Sequence, residues 1–136
     1  MKGEISEDQF QAELFEWFWN TFPEAHRAMW AVPNGGWRHA GQLKLLEATG
    51  VVAGVWDLHL FWRGQFYIFE LKVGSNTLSK PQQRWGALML EHGAETYEIH
   101  ERFGGREIFK KVCTDIVRGS GKLGAAGSGA NTNSAY

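Results

Sequence analysis

The sequence has 136 residues and a formal net charge of -1, and 43% of its residues are hydrophobic, including seven tryptophans and nine phenylalanines. This composition predicts a globular chain without a membrane partner, because no apolar run approaches the roughly 18 residues that a membrane span needs. The near-neutral charge argues against an indiscriminate polyanion binder, and the single cysteine, Cys113, excludes an internal disulfide. Because the acidic N-terminus lacks the apolar segment of a signal peptide, we expect a cytoplasmic location.

Helix and strand signals alternate along the first part of the chain. Ser6 precedes an amphipathic stripe that predicts a first helix over residues 7–19. Residues 28–32 form a short apolar run typical of a strand, and residues 40–48 have the pattern of a second helix. The second helix offers three leucines to the core, Leu43, Leu45 and Leu46.

The middle of the chain predicts a β-hairpin. Residues 54–62 and 65–73 are rich in aromatic and branched side chains, and only Arg63-Gly64 separates them. We expect Arg63 and Gly64 to be the two central turn residues, which fixes the register of the two strands.

Three charged residues interrupt this apolar hairpin. The register sets Asp57 directly opposite Glu70, with Cβ atoms roughly 4.5–5.5 Å apart. Because side chains alternate along a strand, Lys72 falls on the same face as Glu70, while Leu71 points to the other face. Two carboxylates and a lysine are therefore expected together at the end of the hairpin away from its turn.

This cluster is a candidate metal site. Mg²⁺ takes carboxylate oxygens, waters and substrate phosphate as ligands, and its charge removes the repulsion between two acids. A neighbouring lysine can orient or help deprotonate an attacking water and stabilise charge that develops on a phosphate. The implied chemistry is hydrolysis of a phosphate ester. The alternative is a solvated strand end where Lys72 forms a weak ion pair with Glu70 or Asp57, and spacing alone does not separate the two.

The last part of the chain predicts a helix, a strand and a helix. Ser79 caps a helix from residue 80 to about 92, with Pro81 in its first turn and Trp85, Leu88 and Met89 as its apolar face. Residues 95–100 have the pattern of a strand and residues 105–118 that of a final helix.

The order of elements, α, β, α, β, β, α, β, α, predicts an α/β domain with a small mixed sheet flanked by helices. The domain is expected to span residues 1–118. Residues 119–136 are rich in glycine, serine and alanine, which is typical of a flexible tail.

Four segments in this order resemble a known family: Val32-Pro33-Asn34-Gly35-Gly36, residues 50–58 around Asp57, Glu70-Leu71-Lys72, and Leu78-Ser79-Lys80-Pro81-Gln82-Gln83-Arg84-Trp85. Over roughly residues 7–100 the chain resembles the VRR-NUC branch of the PD-(D/E)XK nucleases, in particular its small stand-alone members. The resemblance implies a restriction-endonuclease-like core and a metal-dependent deoxyribonuclease. Where the family pattern has proline before the aspartate, this chain has Trp56, but the acid itself is retained.

The resemblance also implies roles for individual residues. Asp57 and Glu70 are expected to bind Mg²⁺ or Mn²⁺ together with the main-chain carbonyl of Leu71, and Lys72 is expected to assist the attacking water. Gln82 is expected to orient Lys72 or a phosphate. The first helix is expected to supply a further acid, for which Glu7 is the first choice and Glu13 the second.

Substrate contacts are expected from one loop and from basic side chains. Asn34 and Gly35 match the family pattern as a backbone platform for DNA, although an ordinary turn explains them equally well. The basic candidates are Arg38, Lys80 and Arg84.

We expect a structure-selective endonuclease for branched DNA such as four-way (Holliday) junctions, acting as a homodimer whose two-fold symmetry suits paired cuts. A nuclease for flaps or other single-strand to duplex junctions is the enzymatic alternative, and a DNA-binding or assembly module without activity is the alternative of another class. No phosphate-binding loop is present, so no nucleotide cofactor is expected.

Some aromatic residues are expected to be structural. His59 shares the face of Asp57 and could touch substrate, but a partly buried histidine in the sheet is the preferred interpretation. Five tryptophans follow apolar stripes and are expected in the core or at a dimer interface: Trp17, Trp19, Trp30, Trp62 and Trp85.

Overall fold

The computed structural model describes residues 4–33 and 40–119. In chain order its main elements are α1 (Glu7–Thr21), β1 (Met29–Ala31), α2 (Ala40–Ala48), β2 (Leu58–Trp62), β3 (Gln65–Lys72), α3 (Lys80–Glu91), β4 (Glu95–His100) and α4 (Gly105–Arg118). Their order and type are those expected from the sequence. Within the described ranges, no helix is long and apolar enough to cross a membrane.

The four strands form one mixed sheet in the order β1-β2-β3-β4. β1, β2 and β3 pair antiparallel, and β4 runs parallel to β3 because α3 crosses between them. The predicted hairpin register is confirmed, since Trp62 pairs with Gln65 and Leu58 with Phe69. Arg63 and Gly64 have φ angles of 51° and 83°, as a type I′ turn requires at its two central residues.

One face of the sheet packs against α1 and α4. Leu58, Leu60, Phe69 and Leu71 are fully buried there. The helices contribute to the same core cluster with Phe10, Leu14 and Phe18 of α1 and Phe109, Cys113 and Val117 of α4. Cys113 is thus a core residue.

The opposite face carries α3. A reciprocal pair of hydrogen bonds between Ser79 and Gln82 caps this helix, and Pro81 lies in its first turn. The ring of Trp85 stacks on His59 of β2 with 5.4 Å between ring centroids. His59 is buried in the sheet, which confirms the preferred interpretation of this residue.

Several predicted core residues are exposed. Leu45 is 65% exposed because the end of α2 borders a cleft instead of the core. Leu88 is 47% exposed because it lies about 200° around α3 from Gly86, the buried residue of this helix. Trp19 and Trp30 also lie partly in solvent, and among the tryptophans of residues 4–33 and 40–119 the buried one is Trp56.

Two sequence predictions fall outside the described residues. Asn34, Gly35 and Arg38 belong to the segment 34–39. The predicted tail, residues 119–136, also falls outside the described residues, apart from Gly119, which caps the C-terminal end of α4.

Candidate active site

Hydrogen bonds from main-chain N–H groups hold the carboxylates of Asp57 and Glu70 close together. Asp57 lies one residue before β2, and its N–H donates to Glu70 Oε1 at 3.2 Å. In return Asp57 Oδ2 accepts the N–H of Leu71 at 2.9 Å. The carbonyl of Asp57 also accepts the N–H of Val32, which continues from β1. The two acids are therefore fixed side by side at the end of the hairpin, as the register predicts.

Glu70 is the more deeply buried acid, with 1% of its surface exposed. Burial, reinforced by the charge of Asp57, raises the pKa of Glu70 to about 8, against the opposing effect of Lys72. Lys72 Nζ lies 3.4 Å from Glu70 Oε2 and is itself buried. Lys72 therefore pairs with Glu70, as the alternative of a simple ion pair expects, but the pair is buried and does not lie at a solvated strand end.

Gln82 connects this cluster to α3. Its Nε2 donates to Glu70 Oε2 at 2.8 Å, and its Oε1 accepts from Lys72 Nζ at 3.1 Å. The same Oε1 accepts the N–H of Ser79 as part of the helix cap. Both ends of the amide are therefore used, so its orientation is fixed by the helix cap on one side and by the charged pair on the other.

An open cleft of about 930 Å³ leads to these groups. Asp57, Glu70 and Gln82 contribute to its lining, as do Glu7 and Gln11 from α1. The loop of residues 50–55 and the end of α2 form the remaining wall. Asp57 is the more exposed of the two carboxylates that border this cleft, and Glu70 lies behind it, largely buried.

The two candidate acids of the first helix have different surroundings. Glu7 lines the cleft, and its Oε2 accepts a hydrogen bond from Asn76 Nδ2 at 3.3 Å. Glu13 instead forms an ion pair with Arg106 of α4, with Nε and Oε2 2.6 Å apart, which lowers the pKa of Glu13. The structure thus places Glu7 at the cleft and the side chain of Glu13 against α4, and the role of Glu7 as the further acid stays a prediction.

The basic residues of α3 are less closely associated with the cleft. Lys80 and Arg84 are exposed on the first turns of the helix, and neither contributes to the cleft lining. They lie on the helix whose first turn carries Ser79, Pro81 and Gln82 into the cleft, so their contact with a substrate stays a prediction.

The donor set fits a hard divalent cation. Within residues 4–33 and 40–119 no cluster of three or more His, Cys, Asp or Glu side chains is placed to hold a metal. A pair of carboxylates with room for water and phosphate is the arrangement that Mg²⁺ accepts, since it keeps several waters. Burial and, after it, the charge of Asp57 raise the pKa of Glu70, and a bound cation would oppose both effects by favouring the carboxylate form.

Sequence reasoning missed the contribution of Trp56, which replaces the proline of the family pattern. Its indole Nε1 donates to the main-chain oxygen of Gln82 at 2.9 Å. A glycine in the middle of α3, Gly86, was a usable signal, since a helix tolerates glycine where another group packs closely. The group that packs on Gly86 is the Trp56 ring.

The chain resembles a known protein in its fold but not in its sequence. No protein-family model and no curated protein sequence matches the chain. A solved structure described as "VRR_NUC domain protein" matches with a TM-score of 0.64 over 87% of this chain and 92% of that chain, at 16% sequence identity. The chain has the VRR_NUC fold.

The expected resemblance is therefore confirmed at the level of the fold. The VRR_NUC fold brings together Asp57, Glu70, Lys72 and Gln82, which the sequence motifs had singled out. It also brings Glu7 to the same cleft.

Proposed function

We propose that this protein is a divalent-metal-dependent deoxyribonuclease that hydrolyses phosphodiester bonds. The observation that supports this most directly is the pairing of Asp57 and Glu70 beside Lys72, where an open cleft meets the end of the hairpin. The VRR_NUC fold supports the same assignment.

In the proposed mechanism, Asp57 and Glu70 provide the carboxylate ligands, with the Leu71 carbonyl and Glu7 as further ligands. These residues would hold Mg²⁺ or Mn²⁺, which would supply Lewis-acid chemistry by lowering the pKa of water and offsetting charge on the phosphate. Lys72 orients the attacking water and donates to a phosphate oxygen as negative charge grows on it. Gln82 holds Lys72 and Glu70 in register through its two amide atoms.

The proposed substrate is branched DNA, four-way junctions in particular, cut by a homodimer. The small size of the domain and the family that its motifs resemble support this proposal. Two copies related by a two-fold axis would present two clefts to a symmetric junction. Asn34, Gly35, Arg38, Lys80 and Arg84 are the proposed DNA contacts.

The decisive test is cleavage of labelled DNA in four forms: a four-way junction, a flap, linear duplex and single strands. We expect metal-dependent cleavage that EDTA abolishes and that folded Asp57→Ala and Lys72→Ala variants lose. Activity of wild type in EDTA, or full activity of either variant, would contradict the mechanism. If the junction is cut no better than linear duplex, the branched-DNA proposal fails while the nuclease proposal survives.

Calorimetry with Mn²⁺ tests the alternative of a non-catalytic DNA-binding module. The nuclease proposal expects a heat of binding that Asp57→Ala removes. DNA binding without any such heat would favour the module instead.

A further inference from the structure

The residue that precedes the first acid is joined to the helix opposite it. Trp56 is 4% exposed, and its indole N–H donates to the main-chain oxygen of Gln82 at 2.9 Å. One turn further along α3, Gly86 lies against the same ring. A Cβ at Gly86 would come within 2.5 Å of the indole Cζ2 atom, so the contact is as close as a glycine allows.

Neighbouring groups of the same loop strengthen this junction. Gly54 has a φ angle of +87°, and a Cβ there would overlap the carbonyl of Pro81, in the first turn of α3. The carbonyl of Trp56 accepts a hydrogen bond from His59 Nε2 at 3.1 Å, and the His59 ring stacks on Trp85 of α3. The loop and the helix thus form one packed unit.

The backbone of Gln82 is therefore held by the residue next to Asp57, while its side chain reaches Glu70 and Lys72. Gln82 is thus held at its main chain by Trp56 and at its side chain by Glu70 and Lys72. A shift of the first turn of α3 would move the Gln82 amide away from Glu70, because the helix cap ties that amide to Ser79.

We propose that Trp56 is a positioning residue, which acts through Gln82 to hold Glu70 and Lys72 in the arrangement that cleavage requires. The expected effect on cleavage rests on the proposed nuclease function. The claim that Trp56 positions Gln82 does not depend on that function. Trp56 acts in this role through the hydrogen bond from its indole N–H to the main chain of Gln82. It fixes the helix turn that carries Gln82.

The kinetic test uses Trp56→Phe with Trp62→Phe as a matched control. Trp62 is half-buried at the turn end of the hairpin, and within the described residues its indole nitrogen has no hydrogen-bond partner. We expect Trp56→Phe to lower kcat for Mn²⁺-dependent cleavage about tenfold, with KM for DNA changed less than twofold, as for outer contacts that orient ligands. Trp62→Phe should change neither quantity.

A double-mutant cycle tests the route through Gln82. In a Gln82→Ala background, Trp56→Phe should lower kcat less than twofold further, because the group through which it acts is gone. An equal loss in both backgrounds, or a matching loss in Trp62→Phe, would overturn the proposal.

A metal-free measurement separates this inference from the proposed function. The Gln82 side-chain amide can be assigned by ¹⁵N NMR from its loss in Gln82→Ala. We expect its signals to shift in Trp56→Phe and in Gly86→Ala, whose new methyl group displaces the ring, and to stay in place in Trp62→Phe. Unchanged Gln82 amide signals in both Trp56→Phe and Gly86→Ala would overturn the proposal that Trp56 positions Gln82. If wild type cleaves no DNA, the function fails and this measurement still decides the role of Trp56.

Discussion

The two faces of the central sheet are built from the same strands but bury different groups. Towards α1 and α4, β3 presents Phe69 and Leu71, which are fully buried among apolar neighbours. Towards α3 it presents Glu70 and Lys72, which are buried next to each other with Lys72 Nζ 3.4 Å from Glu70 Oε2. Because side chains alternate, residues one position apart lie in surroundings of opposite character.

This difference shows how the domain can hold buried charges. The apolar face contributes favourable free energy through burial of large side chains, whereas burial of a carboxylate is unfavourable unless it is paired. The two effects meet at Leu71, whose side chain packs in the core while its N–H donates to Asp57. Packing in the core therefore fixes the main-chain atoms that hold the charged side chains in place. Substitutions on the apolar face can be compared with substitutions on the charged face.

The largest expected effect comes from removing a charge on the polar face. Asp57→Asn should lower the cleavage rate at least about 10³-fold, or about 4 kcal/mol in activation free energy, because a charged ligand is lost. The asparagine keeps an oxygen for the Leu71 N–H, so thermal unfolding should occur at the same or a higher temperature. Cleavage assays and calorimetry on the same samples check both, and a variant that unfolds early would show that the two faces are not separable.

Truncation of a side chain on the apolar face should lower stability and leave the cleavage rate unchanged. Phe109 is fully buried and packs edge-on against Phe69 at 5.2 Å between ring centroids. Phe109→Ala should lower the free energy of unfolding by about 3–4 kcal/mol, while the kcat of the folded fraction is unchanged. The exposed Phe103 supplies a control, since Phe103→Ala should change stability by less than about 0.5 kcal/mol. Urea unfolding monitored by tryptophan fluorescence measures both.

The stability of the metal-free protein should depend on pH through Glu70. Its pKa is raised from 4.5 to about 8 in the folded state, so the folded protein holds this proton more tightly than the unfolded chain. The favourable contribution is complete below pH 4.5 and is lost as the pH rises to 8, a change of a few kcal/mol because each pKa unit is worth about 1.4 kcal/mol.

The difference between wild type and Glu70→Gln in urea unfolding at pH 5 and pH 8 isolates this contribution. Excess Mg²⁺ should restore stability at pH 8 in wild type only. Parallel pH curves for the two proteins would show that Glu70 ionises normally.

The smallest effects should distinguish the two acids of α1. Glu7→Gln should raise the Mn²⁺ concentration for half-maximal cleavage about tenfold, because Glu7 faces the cleft. Glu13→Gln should leave this concentration unchanged and reduce stability by less than about 1 kcal/mol, since its ion pair with Arg106 is partly solvated. Metal titrations of both variants test the assignment. Equal changes in the Mn²⁺ concentration for half-maximal cleavage would show that Glu7 has no role that Glu13 lacks.

Much of the fold could be predicted because its signals are local. The bounds of α2, β4 and α4 follow from periodicity and from glycines that lie at or next to their own segments. The proximity of Asp57 and Glu70 was also predictable, because a two-residue turn fixes the register of the hairpin up to the neighbouring pair of Leu58 and Phe69. By itself, the sequence determined the elements, their order and the carboxylate pair.

The tertiary structure decided which helix face meets which partner. Glu13 meets Arg106 across 93 positions of sequence, so no local pattern could separate it from Glu7. Leu88 is apolar but exposed, because α3 approaches the sheet through Gly86 and the Trp56 ring instead. Amphipathic spacing marks a possible buried face, but the face that is buried depends on packing between distant segments, which only the complete fold defines.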